Sequence, residues 1–164
     1  MRAFDRRTDA MLCTRGEGIV IVRLETIEGS DPGLRKALTD AALPVEDLEG
    51  DGRSFFRAVG AGGKTLGYAG IEHCAGAALL RSVVVLPEAR GQGIGKSVTD
   101  ATLRRLDPGM AAYLATTSAA SFFASLGFAV VNRTEVPASI LSTRQLSDIC
   151  PASATIMMLN KPPT

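Results

Sequence analysis

The stretch from Leu79 to Leu106, LLRSVVVLPEARGQGIGKSVTDATLRRL, leaves this chain few ways to fold. It begins as a short apolar run ending in β-branched residues, which suits a buried strand. Pro87 has no N–H to give a ladder and drives Leu86 extended, so the strand should stop there. Gly91, Gly93 and Gly95 follow at alternate positions. From Ile94 the spacing turns helical, with Ile94, Val98, Ala101, Leu103 and Leu106 as candidate buried positions. Strand, glycine loop and helix in this order make a place for a phosphate. Backbone N–H groups converge at the helix start, and missing Cβ atoms let an anion approach the main chain.

Spacing separates the possible loops. A P-loop needs GxxxxGK[ST]; Gly95-Lys96-Ser97 supplies its end, but Arg90 stands at its first glycine. The dinucleotide pattern GxGxxG ends on Lys96 when started at Gly91 and on Val98 when started at Gly93. Both fail. Arg90-x-x-Gly93-x-Gly95, approached through VVVLPEAR, resembles the pyrophosphate loop of the GNAT N-acetyltransferase family. A second stretch, Phe122-Phe123-Ala124-Ser125-Leu126-Gly127-Phe128, resembles that family's F-Y-x-x-x-G-F segment, with Phe123 where a tyrosine is usual. Farther on, LLRSVVV, YLATT, P-x-x-I-x-x-TRQ and ICPASA together resemble a small subgroup named arsenic-resistance N-acetyltransferases of the second type.

At 164 residues the prior is one domain, read as 19–160 and preceded by an extension over 1–18 that is polar and expected to be mobile. A net charge of +1 gives no electrostatic case for nucleic acid or an anionic membrane. No apolar run approaches a membrane span and the N-terminus lacks a secretory signal, so a cytoplasmic location is expected. Cys13, Cys74 and Cys150 are odd in number and widely separated, which excludes a disulfide framework. One histidine and no CxxC argue against a structural metal. Three thiols meeting in space could still hold a soft ion such as trivalent arsenic; incidental buried thiols are the plainer reading.

Along the chain, IVIVRLET opens a strand at Ile19, and Asp31-Pro32 starts a helix whose buried side is Leu34, Leu38, Ala41 and Leu43. VEDLEGDG reads as a turn. SFFRAVG, TLGYAGIEHC and LLRSVVVL form an antiparallel meander. After the Asp107-Pro108-Gly109 stop, MAAYLATT is a strand, SAASFFASLG a short helix with Ser118 as its cap, and FAVV a return strand. Pro137 opens a short helical piece, Ser142 is a candidate cap for another, and ATIMML closes the chain as a strand. The expected fold is an α/β (α+β) acyltransferase domain of the GNAT type. Its sheet is mixed, mostly antiparallel and six- to seven-stranded, with helices on both faces.

The resemblance implies a chemistry. Acetyl-CoA is the co-substrate, its pantetheine arm bonded to the main chain of Val83, Val84 and Val85. Its pyrophosphate lies on Arg90, Gly91, Gln92, Gly93, Ile94 and Gly95, with Lys96 and Ser97 adjacent. A backbone N–H near Val84 or Val85 would polarise the thioester carbonyl. Thr116, at a position where asparagine is common, and the Phe122 and Phe123 rings would flank the arm. Phe123 has no proton for the leaving thiolate. Glu72 is the candidate general base, with His73 beside it; a solvated strand end is the plain alternative. Arg81 inside an apolar strand needs a partner, because an unpaired buried guanidinium is costly. It could hold an acceptor carboxylate or pair with an internal acid, and Ser82, Arg133 and Arg144 are further candidates for the acceptor pocket. The implied reaction is acetyl transfer to a primary amine of a small molecule, by direct attack, in a family where homodimers are common. The subgroup points to an amino acid-like organoarsenical. A non-catalytic sensor of acyl-CoA or an arsenical is the alternative.

Overall fold

A computed structural model describes residues 11–14 and 19–160. Eight strands form one sheet: β1 (Met11–Thr14), β2 (Ile19–Ile27), β3 (Arg53–Val59), β4 (Thr65–Cys74), β5 (Ala77–Val85), β6 (Ala111–Thr116), β7 (Ala129–Val130) and β8 (Thr155–Leu159), in the order β1-β2-β3-β4-β5-β6-β8-β7. Only β5 and β6 pair parallel; every other neighbour is antiparallel. Seven of these strands are those read from the sequence. The eighth, β1, lies within the leading segment taken for an extension and pairs Met11–Thr14 with Val22–Ile19.

Four helices cover the sheet: α1 (Pro32–Asp40), α2 (Ile94–Leu103), α3 (Ala120–Ser125) and α4 (Ala138–Leu141). Asp31 caps α1 as expected, its Oδ1 accepting from the Leu34 N–H at 3.0 Å. Side-chain alternation along the strands assigns the faces. Phe55 packs with Leu34 and Leu38 of α1, whereas its neighbour Phe56 packs with Ile94 and Val98 of α2. Leu79 joins Ile140 of α4, and Leu80 joins Phe123 of α3. One face therefore carries α1 and α4, and the other carries α2 and α3.

On β5 this alternation breaks once. Ala77, Leu79 and Arg81 face the α1/α4 side, yet so do Val84 and Leu86, while Val83 and Val85 pack on the α2 side. The break is a β-bulge: Tyr68 pairs with Val84 and Gly70 with Arg81, so two residues of β5 oppose Ala69 alone. Ser82 in the bulge has φ +57°, a left-handed conformation uncommon outside glycine.

Two capping expectations are corrected. Ser118 does not cap α3; Thr116 Oγ1 accepts from the N–H groups of Ala119 at 2.9 Å and Ser118 at 3.4 Å. A threonine two or three residues upstream makes the same kind of turn, and the sequence reading placed the hydroxyl two residues too late. Ser142 opens no helix. It ends α4, and the following segment Gln145–Ile149 is a single π turn closed by Cys150 N–H on Gln145 O at 2.7 Å. No helix among the described residues is long and apolar enough to cross a membrane.

Candidate acyl-transfer site

β5 and β6 pair over three residues, Ala77↔Ala111 to Leu79↔Tyr113, and then part. A cavity of about 310 Å³ occupies the gap. Leu80 and Leu114 belong to the α2/α3 face and Arg81 to the α1/α4 face, and all three line it. The cavity thus passes between two strands of the sheet. Further walls come from Ala42–Pro44 after α1, Ser82 and Val83 of β5, Ala115–Ala119 and Phe123 at β6 and α3, and Gln145, Ile149–Pro151 and Ala154 in the tail.

Val85 lies at the open edge. Leu86 N–H bonds Leu66 O at 2.8 Å across to β4, so strand alternation turns the Val85 N–H and C=O towards the gap. There the Val85 carbonyl accepts Arg90 Nε at 3.0 Å. Val83 lines the cavity, whereas the Val84 side chain is buried under α1. Gly91 and Gly93 take φ +81° and +74°, and Gly93 is the N-cap of α2. Ser97 N–H is the first to bond back, to Gly93 O at 3.3 Å, so the amides before it open the helix towards solvent. Gly91, Gln92, Lys96 and Arg90 are exposed; Ile94 is core. Ser97 is buried and gives its hydroxyl to Gly93 O at 3.3 Å, while Lys96 pairs with Asp100 at 2.6 Å. Gly95 is glycine for packing: a Cβ there would sit 3.1 Å from Phe122 Cζ. The Phe122 and Phe123 rings meet edge to face at 5.0 Å.

Arg81 is held on the inside. Its Nη1 and Nη2 fork onto Asp47 at 2.7 and 2.5 Å, Nη1 also reaches Glu72 at 3.2 Å, and Nε donates to Ser82 Oγ at 3.3 Å. Side-chain exposure is 1% for Arg81 and 0% for Asp47. Arg53 closes the group, 4.0 Å from Asp47 and 3.7 Å from Glu72. Of the two readings of Arg81 from sequence, the geometry fits the internal ion pair. Burial pushes the Asp47 carboxyl up, but hydrogen bonds and charge from Arg81, the charge of Arg53 and a bond from Gln145 hold it below the usual range.

Other candidates scatter. His73 is exposed, with Nε2 3.4 Å from Ser54 Oγ, and Glu72 and His73 are absent from the cavity wall. Arg144 is exposed and bonds Glu46 O and Asp148, each at 3.5 Å. Arg133 is half-buried, its buried Nη2 without a hydrogen-bond partner. Cys150 lines the cavity with Sγ 3.7 Å from Gln145 Oε1; burial raises its thiol pKa, with Arg81 and Arg133 pulling the other way and Asp47 adding to the rise. Cys74 lies in the core with Leu79 and Tyr113, and the Cys13 side chain is outside the described residues. Among the described residues no three His, Cys, Asp or Glu side chains gather as metal ligands. Asp47, Gln145 and the wall role of Cys150 were not foreseen. The lone arginine in an apolar strand was a signal that an acid must exist, without saying which.

Residues 51–130 match the family model described as an acetyltransferase (GNAT) domain. That stretch, just under half of the chain, is similar to a GNAT domain, and together with the shared fold it supports acyltransferase activity. Solved structures share the fold at low identity. The Mycobacterium tuberculosis protein Rv2747, solved with CoA, aligns with a TM-score of 0.62 at 19% identity, over 84% of this chain and 98% of its own. N-acetylglutamate synthase of Neisseria gonorrhoeae, solved with CoA and N-acetyl-glutamate, aligns at 0.63 and 14% identity, over 87% of this chain and 35% of that one. The ribosomal-protein-S18-alanine N-acetyltransferase of Escherichia coli aligns at 0.57 and 19%, over 87% and 96%. No curated protein matches the chain significantly.

Proposed function

We propose that this GNAT-like domain transfers acetyl from acetyl-CoA to a primary amine of a small, amino acid-like molecule. The observation that carries the reading is the partly polar cavity in the β5–β6 gap, whose wall includes Val83, two residues from the turned-out edge of Val85. At about 310 Å³ the chamber is at the small end of ligand sites, a fit for a compact acceptor rather than a protein segment. The gap takes the place of a missing strand, so an extended pantetheine arm can bond the β5 edge as a strand would. The fit at the other end rests on the α2 amides, with Gly91 and Gly93 in conformations that turn the loop, and with Arg90 anchored to Val85 O. Bound acetyl-CoA supplies the activated acyl group. Val85 N–H faces the gap where a thioester carbonyl would lie and can polarise it. The chamber walls hold the amine close to the carbonyl, which replaces an encounter in solution by a fixed geometry.

An amino acid-like acceptor agrees with the ligands named for Rv2747 and N-acetylglutamate synthase, CoA in both and N-acetyl-glutamate in the second. The tail segments TRQ and ICPASA support the narrower proposal of an amino acid-like organoarsenical, with Gln145, Cys150 and Ala154 of those segments in the chamber wall. Thiol release from acetyl-CoA against a panel of amino acids, polyamines, aminoglycosides and amino acid-like organoarsenicals tests it. Turnover with a compact amino acid-like amine is the expected result. Acetylation confined to polyamines or aminoglycosides would refute it.

A further inference from the structure

We infer that the site has no side-chain base, takes its acceptor as the free amine, and therefore works on weakly basic amines. The inference rests on the acyl-transfer reading above and deepens it to a class of acceptor. Among the described residues the chamber wall contains no Asp, Glu or His; its ionisable side chains are Arg81 of β5 and Cys150 after the π turn. Arg81 is a permanent cation and takes no proton. Cys150 is kept as a thiol by burial, which leaves little thiolate to act as a base at neutral pH.

The charges behind the wall give no better candidate. Asp47, after α1, accepts from Arg81 with both oxygens and has a lowered pKa, the wrong direction for a base at neutral pH. Glu72 of β4 is tied to Arg81 at 3.2 Å and Arg53 at 3.7 Å. Arg53 of β3 completes a group with two positive and two negative charges, and the member facing the chamber is Arg81. Arg133 adds a further positive field near Cys150. An ammonium in this chamber would lose solvent and meet a cation first, so both effects lower its pKa and favour the neutral amine.

The step then balances without the protein. The neutral nitrogen attacks the thioester carbonyl, a C–N bond forms, the C–S bond breaks, and the nitrogen's extra proton ends on the CoA sulfur by way of water. What limits the rate is the fraction of acceptor present as free amine. At pH 7.4 that fraction is roughly a quarter for an α-amino group whose carboxyl is tied up in an amide, and about one in a thousand for a lysine-like amine.

The test is the pH profile of kcat/KM for the best acceptor of the panel and for an analogue fluorinated next to the amine, which lowers the amine pKa at nearly constant size. The expected profile climbs tenfold per pH unit and breaks at the acceptor's own pKa. The break should shift between the two acceptors by the difference in their amine pKa values, and should stay in place in Cys150→Ser. A break at one pH for both acceptors, or one that disappears in Cys150→Ser or Glu72→Gln, assigns a protein base and overturns the inference alone. Absence of turnover with every amine, with acetyl-CoA bound, overturns the acyl-transfer reading and the inference with it.

Discussion

Replacing Arg81 by methionine separates a structural ion pair from a ligand anchor. The change keeps a long apolar stem in place but leaves Asp47 at 0% side-chain exposure without its forked partner. Removing one member of a buried pair costs about 3–5 kcal/mol, because the remaining charge stays desolvated. Arg53, 4.0 Å from Asp47 and 3.7 Å from Glu72, can relieve part of that, which places the expected loss in the lower half of the range. At about 2–4 °C per kcal/mol for a domain of this size, a loss of about 3–4 kcal/mol lowers Tm by roughly 6–16 °C. The Arg81→Met/Asp47→Leu double variant removes both charges and leaves Arg53 beside Glu72. It should recover most of the loss, as replacement of buried pairs by apolar residues often does. Differential scanning calorimetry of the four proteins of the cycle, with and without CoA, measures the coupling. A Tm within 2 °C of the parent for Arg81→Met, together with lost acceptor turnover and intact CoA binding, would refute this account and make Arg81 a carboxylate anchor.

Three further outcomes follow from described contacts. The depressed Asp47 carboxyl contributes stability that is complete above its unfolded pKa of about 4 and is lost as pH falls through the lower folded value. Urea titrations should therefore show the parent losing stability below about pH 4 more steeply than Asp47→Asn; parallel acid limbs would contradict this. Iodoacetamide at pH 7, followed site by site by mass spectrometry, should alkylate Cys150 more slowly than free cysteine because burial raises its pKa, and more slowly still with saturating CoA; faster modification than free cysteine rejects the assignment. Gly95→Val should weaken CoA binding and stability, since even the first added carbon would lie 3.1 Å from Phe122 Cζ, and Gly95→Val/Phe122→Ala should regain stability; equal stability of Gly95→Val and parent would show that the ring yields at no cost.

The sheet was legible because its strands are separated by unambiguous turns, and the glycine loop because its spacing excludes the other phosphate loops. Ile94, Val98, Ala101 and Leu103 are buried on α2 as their period predicts. What could not be read is the pairing of charges across long separations. Asp47 lies in a turn-like run with Glu46, Glu49 and Asp51, and composition gives no reason why one of the four should fold inward. The bulge at Ser82 was equally invisible, because serine has no preference for φ +57°; the conformation is imposed by the β4 register. Glu72 shows how a local reading misleads. It stands near a strand end, as a solvated acid would, yet Arg53 and Arg81 converge on it from two other strands.

The parting of β5 from β6 after Leu79 places an unpaired strand edge in the middle of a sheet rather than at its rim. Rim edges can be shielded by charge, proline or shortness, and here β7 is only two residues long. An interior edge has no such shield, because it must stay open to its substrate. Until that substrate arrives, the edge is a template for any extended segment of another chain, the route by which sheets aggregate. On the proposed acyl-transfer reading the coenzyme would also be a blocking strand, because a ligand that binds only the folded protein stabilises it in proportion to RT ln(1 + [L]/Kd). Coenzyme supply would then set how much of the protein survives as well as how fast it works.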